Sequence, residues 1–500
     1  MTPNQDLPPD PPRPGPQPSA EALRAKADGG SDESGDTSLE IAIAIARAVR
    51  DAGGRALIVG GWVRDRLMSP ATGLAAGPPS KDLDLEVFGV DADRLKEMLR
   101  AFGSVNVVGE SFTVYKVAGL DVSLPRRESK TGRGHRGFTV SGEPDLPPRE
   151  AARRRDFTIN AISWDPLTGE YEDPFDGRGD LDRRRLRAVD PSTFGDDSLR
   201  VLRAVQFAAR FELAVDPGTT ALCRTIPLDD LPAERLWGEI EKLLLRARRP
   251  SIGVALALEM GVIERLFPEL DALVGCPQEP EWHPVGDVWI HTPLVIDEAR
   301  KRIDDLPYPQ QVAVMLGAVC HDLGKPGTTA FIDGRIRSLD HEEAGVPPAI
   351  ALLDRLNVHS LQGYDVRREV LGIVANHLKP GMFAKAQPPV GDGAFRRLAQ
   401  KVDLELLARV ARADCEGRGG GFDCSAMDWF VTRARELGVE HAPPEPLVMG
   451  RHLVEIGVAP GRALGDVLRL VYERQLDGSV ADFDAAFALA REIARARQLY

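Results

Sequence analysis

The run Arg55-Ala56-Leu57-Ile58-Val59, continued by Gly60-Gly61-Trp62-Val63-Arg64-Asp65 and then by Lys81-Asp82-Leu83-Asp84, constrains this chain more than any other stretch. The mostly apolar segment reads as a buried strand, and the two glycines after it let backbone N–H groups come close to an anion. Arg64 follows at a spacing that lets it neutralise phosphate charge. Asp82 and Asp84 are two residues apart, so on a strand both carboxylates face one side, where hard oxygen ligands favour Mg²⁺. Two such ions about 4 Å apart would activate an attacking hydroxyl and stabilise a leaving group. Taken alone, the same residues also fit a turn with two surface aspartates.

With 500 residues, the chain is long enough for three or four units. Residues 1–38 are rich in Pro, Gly, Ser and Asp and are expected to be disordered, because they bury too little apolar surface to offset ordering entropy. Strand and helix patterns then alternate over 39–190, with strand candidates Ala56-Val59, Leu83-Phe88, Thr113-Val117 and Asp121-Ser123. The basic, glycine-rich stretch from Glu128 to Gly142 reads as a mobile loop. Beyond it the pattern is almost wholly helical: a neck over 191–274, a body over 275–430 and a tail over 431–500. Stretches such as Ser198-Phe211 and Pro232-Ala247 carry apolar residues at helical spacing.

A net charge of −13 argues against a generally basic nucleic-acid coat. Any RNA contact then falls to local clusters, Arg126-Arg127, Arg153-Arg154-Arg155 and Arg183-Arg184-Arg185, each interspersed with acids and equally suited to solvated helix faces. Five scattered cysteines without C-x-x-C spacing suit a reducing compartment and speak against a disulfide frame. No secretory leader or membrane-length apolar run is visible, so the expected location is cytoplasmic.

Arg153-Arg154-Arg155-Asp156-Phe157-Thr158-Ile159-Asn160 places guanidinium groups, which grip oxyanions bidentately, at the start of an apolar strand or helix. Downstream come the turn-rich Asp173-Pro174-Phe175-Asp176-Gly177 and then Asp197, Arg200 and Arg203, spaced one turn apart as on one helix face. In this order the blocks resemble the class II tRNA nucleotidyltransferases, the CCA-adding enzymes and bacterial poly(A) polymerases, from about Leu57 to Phe211. The resemblance implies a multidomain α+β protein: a polymerase-β-type α/β head, a helical neck, then helical body and tail. It implies Gly61, Arg64, Arg155 and Arg203 as nucleotide contacts, Asp82 and Asp84 as catalytic Mg²⁺ ligands, and Asp197 with Arg200 as the base-reading pair. CTP, ATP and the tRNA 3′ end are the implied partners. Cytosine and adenine both offer an exocyclic amine beside a ring-nitrogen acceptor, which a carboxylate and a guanidinium can read together; uracil and guanine present a carbonyl to the carboxylate. Asp196 departs from the family's common Glu, and Gln206 stands where some members carry Arg. Lys130, Arg133 and Arg136 could order nucleotide or tRNA, although a solvated loop explains them as well.

A second constellation lies in the body. His291-Thr292-Pro293 precedes an apolar helix, Val312 to Cys320, that delivers His321-Asp322-Leu323-Gly324-Lys325, followed by His341, His377 and Asp414. Imidazoles with carboxylates suit a divalent transition metal, and four histidines in this order outweigh a purely structural reading. The segment resembles the HD phosphohydrolase domain, which implies His291, His321, Asp322 and Asp414 as core ligands and His341 and His377 as additional ones. His283, in Trp282-His283-Pro284, has no such support. The tail, with Val467, Leu468, Val471 and Leu476 facing inward on an amphipathic helix, reads as structural.

The expected activity is therefore template-independent CCA addition, with metal-dependent phosphohydrolysis in the body. A poly(A) polymerase or a partial CC- or A-adding enzyme stays open within the class. A phosphohydrolase whose head only binds nucleotide or RNA is the rival from another class.

Overall fold

In the computed structural model, residues 34–68, 83–108, 113–130 and 138–499 are described. Asp82, Arg133, Arg136 and the expected disorder of residues 1–33 lie outside them. Contacts group the chain into two compact units, Met1–Arg200 with Leu213–Ile226, and Val201–Glu212 with Pro227–Tyr500.

The first unit is built on a seven-stranded sheet in the order β3-β4-β5-β2-β1-β8-β9. Its strands are β1 (Arg55–Val59), β2 (Asp84–Phe88), β3 (Asn106–Val108), β4 (Val114–Val117), β5 (Leu120–Ser123), β8 (Ser163–Trp164) and β9 (Tyr171–Glu172). β2 and β5 run parallel and the remaining neighbours antiparallel. The two-residue strand period explains why both faces are covered. Ala56, Ile58, Leu85 and Val87 join the core formed with Ile41, Ile45 and Val49 of helix Ser34–Asp51 and Leu95 and Leu99 of helix Ala92–Leu99. Leu57, Val59 and Phe88 point the other way and pack with Leu146 and Ala151. Asp84 and Glu86 alternate with Leu85 and Val87, so they belong to this second face, and the register pairs Val59 with Asp84 and Leu57 with Glu86.

Two expectations need correction. Helix Ser34–Asp51 begins before residue 39, because the Ser, Gly, Asp and Thr that resemble a flexible segment are also the residues that open helices. The stretch read as a loop is in part a hairpin, β6 (Arg126–Lys130) paired with β7 (Phe138–Gly142), for which Phe138-Thr139-Val140 supplies strand-forming residues. The later chain is mostly helical, as expected, and short strands interrupt it. Arg185–Leu186 pairs in parallel with Ala214–Val215, and small hairpins join Thr329–Ile332 to Arg335–Ser338 and Ser360–Leu361 to Tyr364–Asp365.

The second unit is a helical assembly. Helix Tyr308–Cys320 is buried continuously from Val312 to Cys320 and packs against helices Val288–Arg300, Val366–Val374 and Leu404–Gly417. A helix apolar on all sides must sit inside a bundle, so whatever follows it is delivered to the interior. Near the C-terminus, Val467, Val471 and Leu476 are buried with Leu453, Ala486 and Ala490, and Leu468 packs against them. No helix of the described residues is long and apolar enough to cross a membrane.

Candidate active site and candidate metal centre

Gly60 follows β1 with φ +78°, the left-handed conformation that favours glycine, and helix Gly61–Met68 starts immediately after it. A β-carbon at Gly60 would stand 3.4 Å from Arg155 Nη1 and 3.4 Å from Asp84 Oδ2, so a turn, a guanidinium and a carboxylate converge at one end of the sheet. Gly61, the first residue of its helix, presents backbone N–H groups at a helix N-terminus, an anion-favouring position.

Glu86 is the residue the sequence reading passed over. It is buried and shares the strand face of Asp84, pairing with Arg154 at 2.7 Å and Arg155 at 3.8 Å. Burial opposes its ionisation, yet the two guanidiniums hold its carboxyl below the ordinary value. Burial in turn pulls Arg155 down, with Glu86 opposing. The Asp-x-Asp-x-Glu alternation from 82 to 86 was the available signal. Arg64 is buried and already engaged, through Nε and Nη2 to Asp65 Oδ1 at 2.8 and 2.7 Å and through Nη1 to Asn160 Oδ1 at 2.7 Å. Asn160 Nδ2 donates to Asp156 Oδ1 at 2.9 Å, tying Arg64 to the segment after the arginine cluster.

Asp197 is not on the helix face with Arg200. Helix Leu199–Phe211 starts two residues later, and Asp197 Oδ1 accepts from Leu199 N, a helix-opening role that Asp favours. Arg200 donates to the carbonyls of Thr193 (2.9 Å) and Arg154 (2.7 Å), while the Arg203 guanidinium lies 5.0 Å from the Phe207 ring centre. Of the basic clusters, Arg183 and Arg185 join Arg187 around the buried carboxylate of Asp180, and Arg153 pairs with Asp190. Gln206 is buried and its Oε1 has no partner.

The second unit brings all six remaining candidates together. His321 and Asp322 leave the end of helix Tyr308–Cys320, His291 comes from helix Val288–Arg300, Asp414 from Leu404–Gly417, His341 opens helix His341–Ala344 and His377 follows Val366–Val374. All six are buried. His321, His341 and His377 each set Nδ1 against the carbonyl three residues back, at 2.8, 2.8 and 2.9 Å. With Nδ1 as the donor, Nε2 is left as a lone pair, the arrangement that orients metal-ligating imidazoles. Asp322 is the shared group. Its Oδ2 lies 3.2 Å from His321 Nε2 and 4.0 Å from His291 Nε2, and its Oδ1 lies 3.4 Å from His341 Nε2 and 3.9 Å from His377 Nε2. His291 Nε2 meets Asp414 Oδ1 at 3.0 Å.

Buried atoms short of hydrogen bonds show what this cluster fits: His291 Nδ1 and His321 Nε2 have none, and Asp322 Oδ2, paired with Lys325 Nζ at 2.8 Å, faces His321 Nε2 at 3.2 Å. Such buried polar atoms are costly unless something meets them, and nitrogen and carboxylate donors suit a divalent ion. Burial and the neighbouring His321 and His341 push His377 down to about 3, so it is neutral at pH 7. Burial works against ionised Asp322, but His321 and Lys325 hold its carboxyl well below the usual range; Arg418 and His291 do the same for Asp414.

Gly324 fixes the approach of His341. A β-carbon there would stand 2.0 Å from His341 O and 2.5 Å from Gly345 N. Gly324→Ala is therefore expected to displace the His341 turn, costing about 1–3 kcal/mol, read by thermal melting.

One expectation about cysteine fails. Cys415 and Cys424 form a disulfide with Cα atoms 6.0 Å apart; Cys223, Cys276 and Cys320 are buried thiols outside it. The glycine-rich turn between them brings residues nine apart back together, which a search for C-x-x-C spacing misses.

A sheet end that joins a glycine turn, an acidic strand face and a guanidinium defines the nucleotidyltransferase class. Residues 56–187 match the family "Poly A polymerase head domain" and residues 220–274 the family "Probable RNA and SrmB- binding site of polymerase A". The "Multifunctional CCA protein" of Xanthomonas campestris pv. campestris (strain B100) is 36% identical over 379 residues, 73% of this chain and 85% of that protein. That of Aromatoleum aromaticum is 38% identical over 377 residues, covering 73% and 86%. The CCA-adding enzyme of Bacillus stearothermophilus in complex with CTP has a similar fold, with TM-score 0.61, 19% identity and coverage of 94% and 99%. That of Thermotoga maritima complexed with tRNA gives 0.55, 17%, 96% and 98%. The chain belongs to the CCA-adding tRNA nucleotidyltransferase and poly(A) polymerase family.

Proposed function

We propose that this chain adds C, C and A to tRNA 3′ ends without a nucleic-acid template, using CTP and ATP and releasing pyrophosphate, in the cytoplasm. The observation that carries this reading is the convergence of Asp84 and Arg155 on the Gly60 turn. Family relatives named for CCA function support it. Asp82 and Asp84 would hold Mg²⁺, which when bound favours the attacking 3′-hydroxylate and screens charge on the departing pyrophosphate. Gly61 N–H and Arg155 bind triphosphate oxygens, and Arg64 anchors the helix that presents Gly61. Asp197 accepts from the exocyclic amine of cytosine or adenine and Arg200 donates to the adjacent ring nitrogen. Since Arg200 already serves two carbonyls, its part requires one N–H directed to the base.

Incubated with Mg²⁺ and each labelled triphosphate in turn, the protein is expected to incorporate C on tRNA lacking its CCA end and A on tRNA ending in CC, and to reject U and G on both. Asp197→Asn replaces one acceptor oxygen with an NH₂ donor that can meet a carbonyl, and is expected to lower selection against UTP by at least about tenfold. Unchanged selection would remove Asp197 from base reading.

We further infer that the histidine and aspartate cluster is a metal-dependent phosphohydrolase centre. His291, His321, Asp322 and Asp414 would hold one divalent transition ion, with Asp322, His341 and His377 around a second. A divalent ion held there would make water nucleophilic at neutral pH. The chain's own part is to keep imidazole lone pairs exposed and Asp322 ionised.

A further inference from the structure

Beside the ligand cluster, three more buried nitrogen atoms lack partners: Nδ1 and Nε2 of His283, and Nε of Arg418. The His283 ring meets His291 edge-on with ring centres 5.1 Å apart, and one of its nitrogens lies within 4.8 Å of ligand atoms of His291 and Asp414. Arg418 is positioned by its Nη2, 2.7 Å from Asp414 Oδ2. Both residues therefore flank the His291 and Asp414 end of the cluster, whereas His341 and His377 gather at the other carboxylate oxygen of Asp322.

The surrounding chain holds this pair in place. Gly419, Gly420 and Gly421 all have left-handed φ values, +69°, +71° and +70°. A β-carbon on Gly419 would stand 3.2 Å from Val285 Cγ1, and one on Gly420 3.6 Å from Pro284 Cγ. The glycine turn after Arg418 thus lies directly on the residues after His283, and the Cys415–Cys424 disulfide closes the loop that bears the arginine.

Unmet buried donors are costly, and here Arg418 Nε–H and the single N–H of the neutral His283 ring stand together, so their grouping calls for an acceptor. The acceptor must also suit the field of Lys325 and Arg418, both of which act on the His283 ring. Beside the divalent ion that the phosphohydrolase reading places on His291 and Asp414, an anion rich in acceptor oxygens can meet both that ion and these N–H groups. We propose that His283 and Arg418 form a phosphoryl-binding wall of this centre, donating N–H groups to the non-bridging oxygens of a phosphoester. The proposal rests on the phosphohydrolase reading of the cluster and names the residues that seat its substrate.

Inorganic phosphate is the probe. Its affinity for full-length, Mn²⁺-loaded protein is measured by calorimetry alongside metal content, and KM and kcat are measured with bis(p-nitrophenyl) phosphate. His283→Ala and Arg418→Lys are each expected to weaken phosphate binding about tenfold and to raise KM, with metal content unchanged. His283→Gln keeps an N–H donor and is expected to recover part of the loss, which also distinguishes a lost contact from misfolding. Unchanged phosphate affinity in both His283→Ala and Arg418→Lys would overturn the proposal, as would loss of metal from His283→Ala with rescue absent in His283→Gln. Wild-type protein that binds phosphate through these residues but hydrolyses no phosphoester would sink the phosphohydrolase reading alone.

Discussion

Asp84→Ala is expected to lower nucleotide addition by about a thousandfold or more, because several kcal/mol of transition-state charge stabilisation depend on the ion that Asp84 would hold. The fold should tolerate the change. Asp84 is only partly buried and begins its strand, and its main-chain pairing with Val59 and Asp121 does not need the side chain. Glu86→Ala, two residues on and on the same face, is the informative contrast. It leaves Arg154 and Arg155 facing a buried site without their carboxylate, which costs about 3–5 kcal/mol of stability. One substitution is therefore expected to give a folded protein that cannot add nucleotide, and the other a destabilised first unit. Addition rates on tRNA lacking CCA, with chemical denaturation of both variants, check this; an active Asp84→Ala protein would remove Asp84 from the chemistry.

Asp322→Asn is expected to empty the second unit of metal and abolish any phosphoester hydrolysis. Its two oxygens divide between His321 and His291 on one side and His341 and His377 on the other, so this one carboxylate joins both halves of the cluster. The amide keeps the size of the carboxylate but loses the charge that balances buried Lys325, 2.8 Å away. Metal content is expected to fall by at least about tenfold, since even outer-shell partners of metal sites are worth that much. Nucleotide addition should persist, because the candidate transfer residues Asp84 and Arg155 belong to the other unit. Full metal content measured in Asp322→Asn would contradict the assignment.

Much of this was legible in the sequence where a short period fixes direction. The strands around Leu57, Leu85, Tyr115 and Val122 followed from apolar runs, and an apolar helix ending in His321-Asp322 had to deliver both to the interior. What stayed hidden depends on partners far along the chain. The role of Glu86 is set by Arg154 and Arg155 some seventy residues later, so composition shows a carboxylate and nothing of its use. Asp180 similarly gathers arginines that look like an RNA patch when read in one dimension. His283 had no sequence support because its neighbours, His291, Asp414 and the glycine turn, meet it only in three dimensions. Asp197 illustrates a local ambiguity: the residue type that continues a pattern of helical spacing is also one that starts helices.

The central claim, ordered CCA addition, is tested most directly by the length and sequence of the product. Purified protein would be given Mg²⁺, CTP, ATP and three tRNAs that end before, within and after CCA. The expected result is extension of the first two to CCA, no extension of the third, and no product with Asp84→Ala. Long A tails, or no incorporation at all by the wild-type protein, would contradict it.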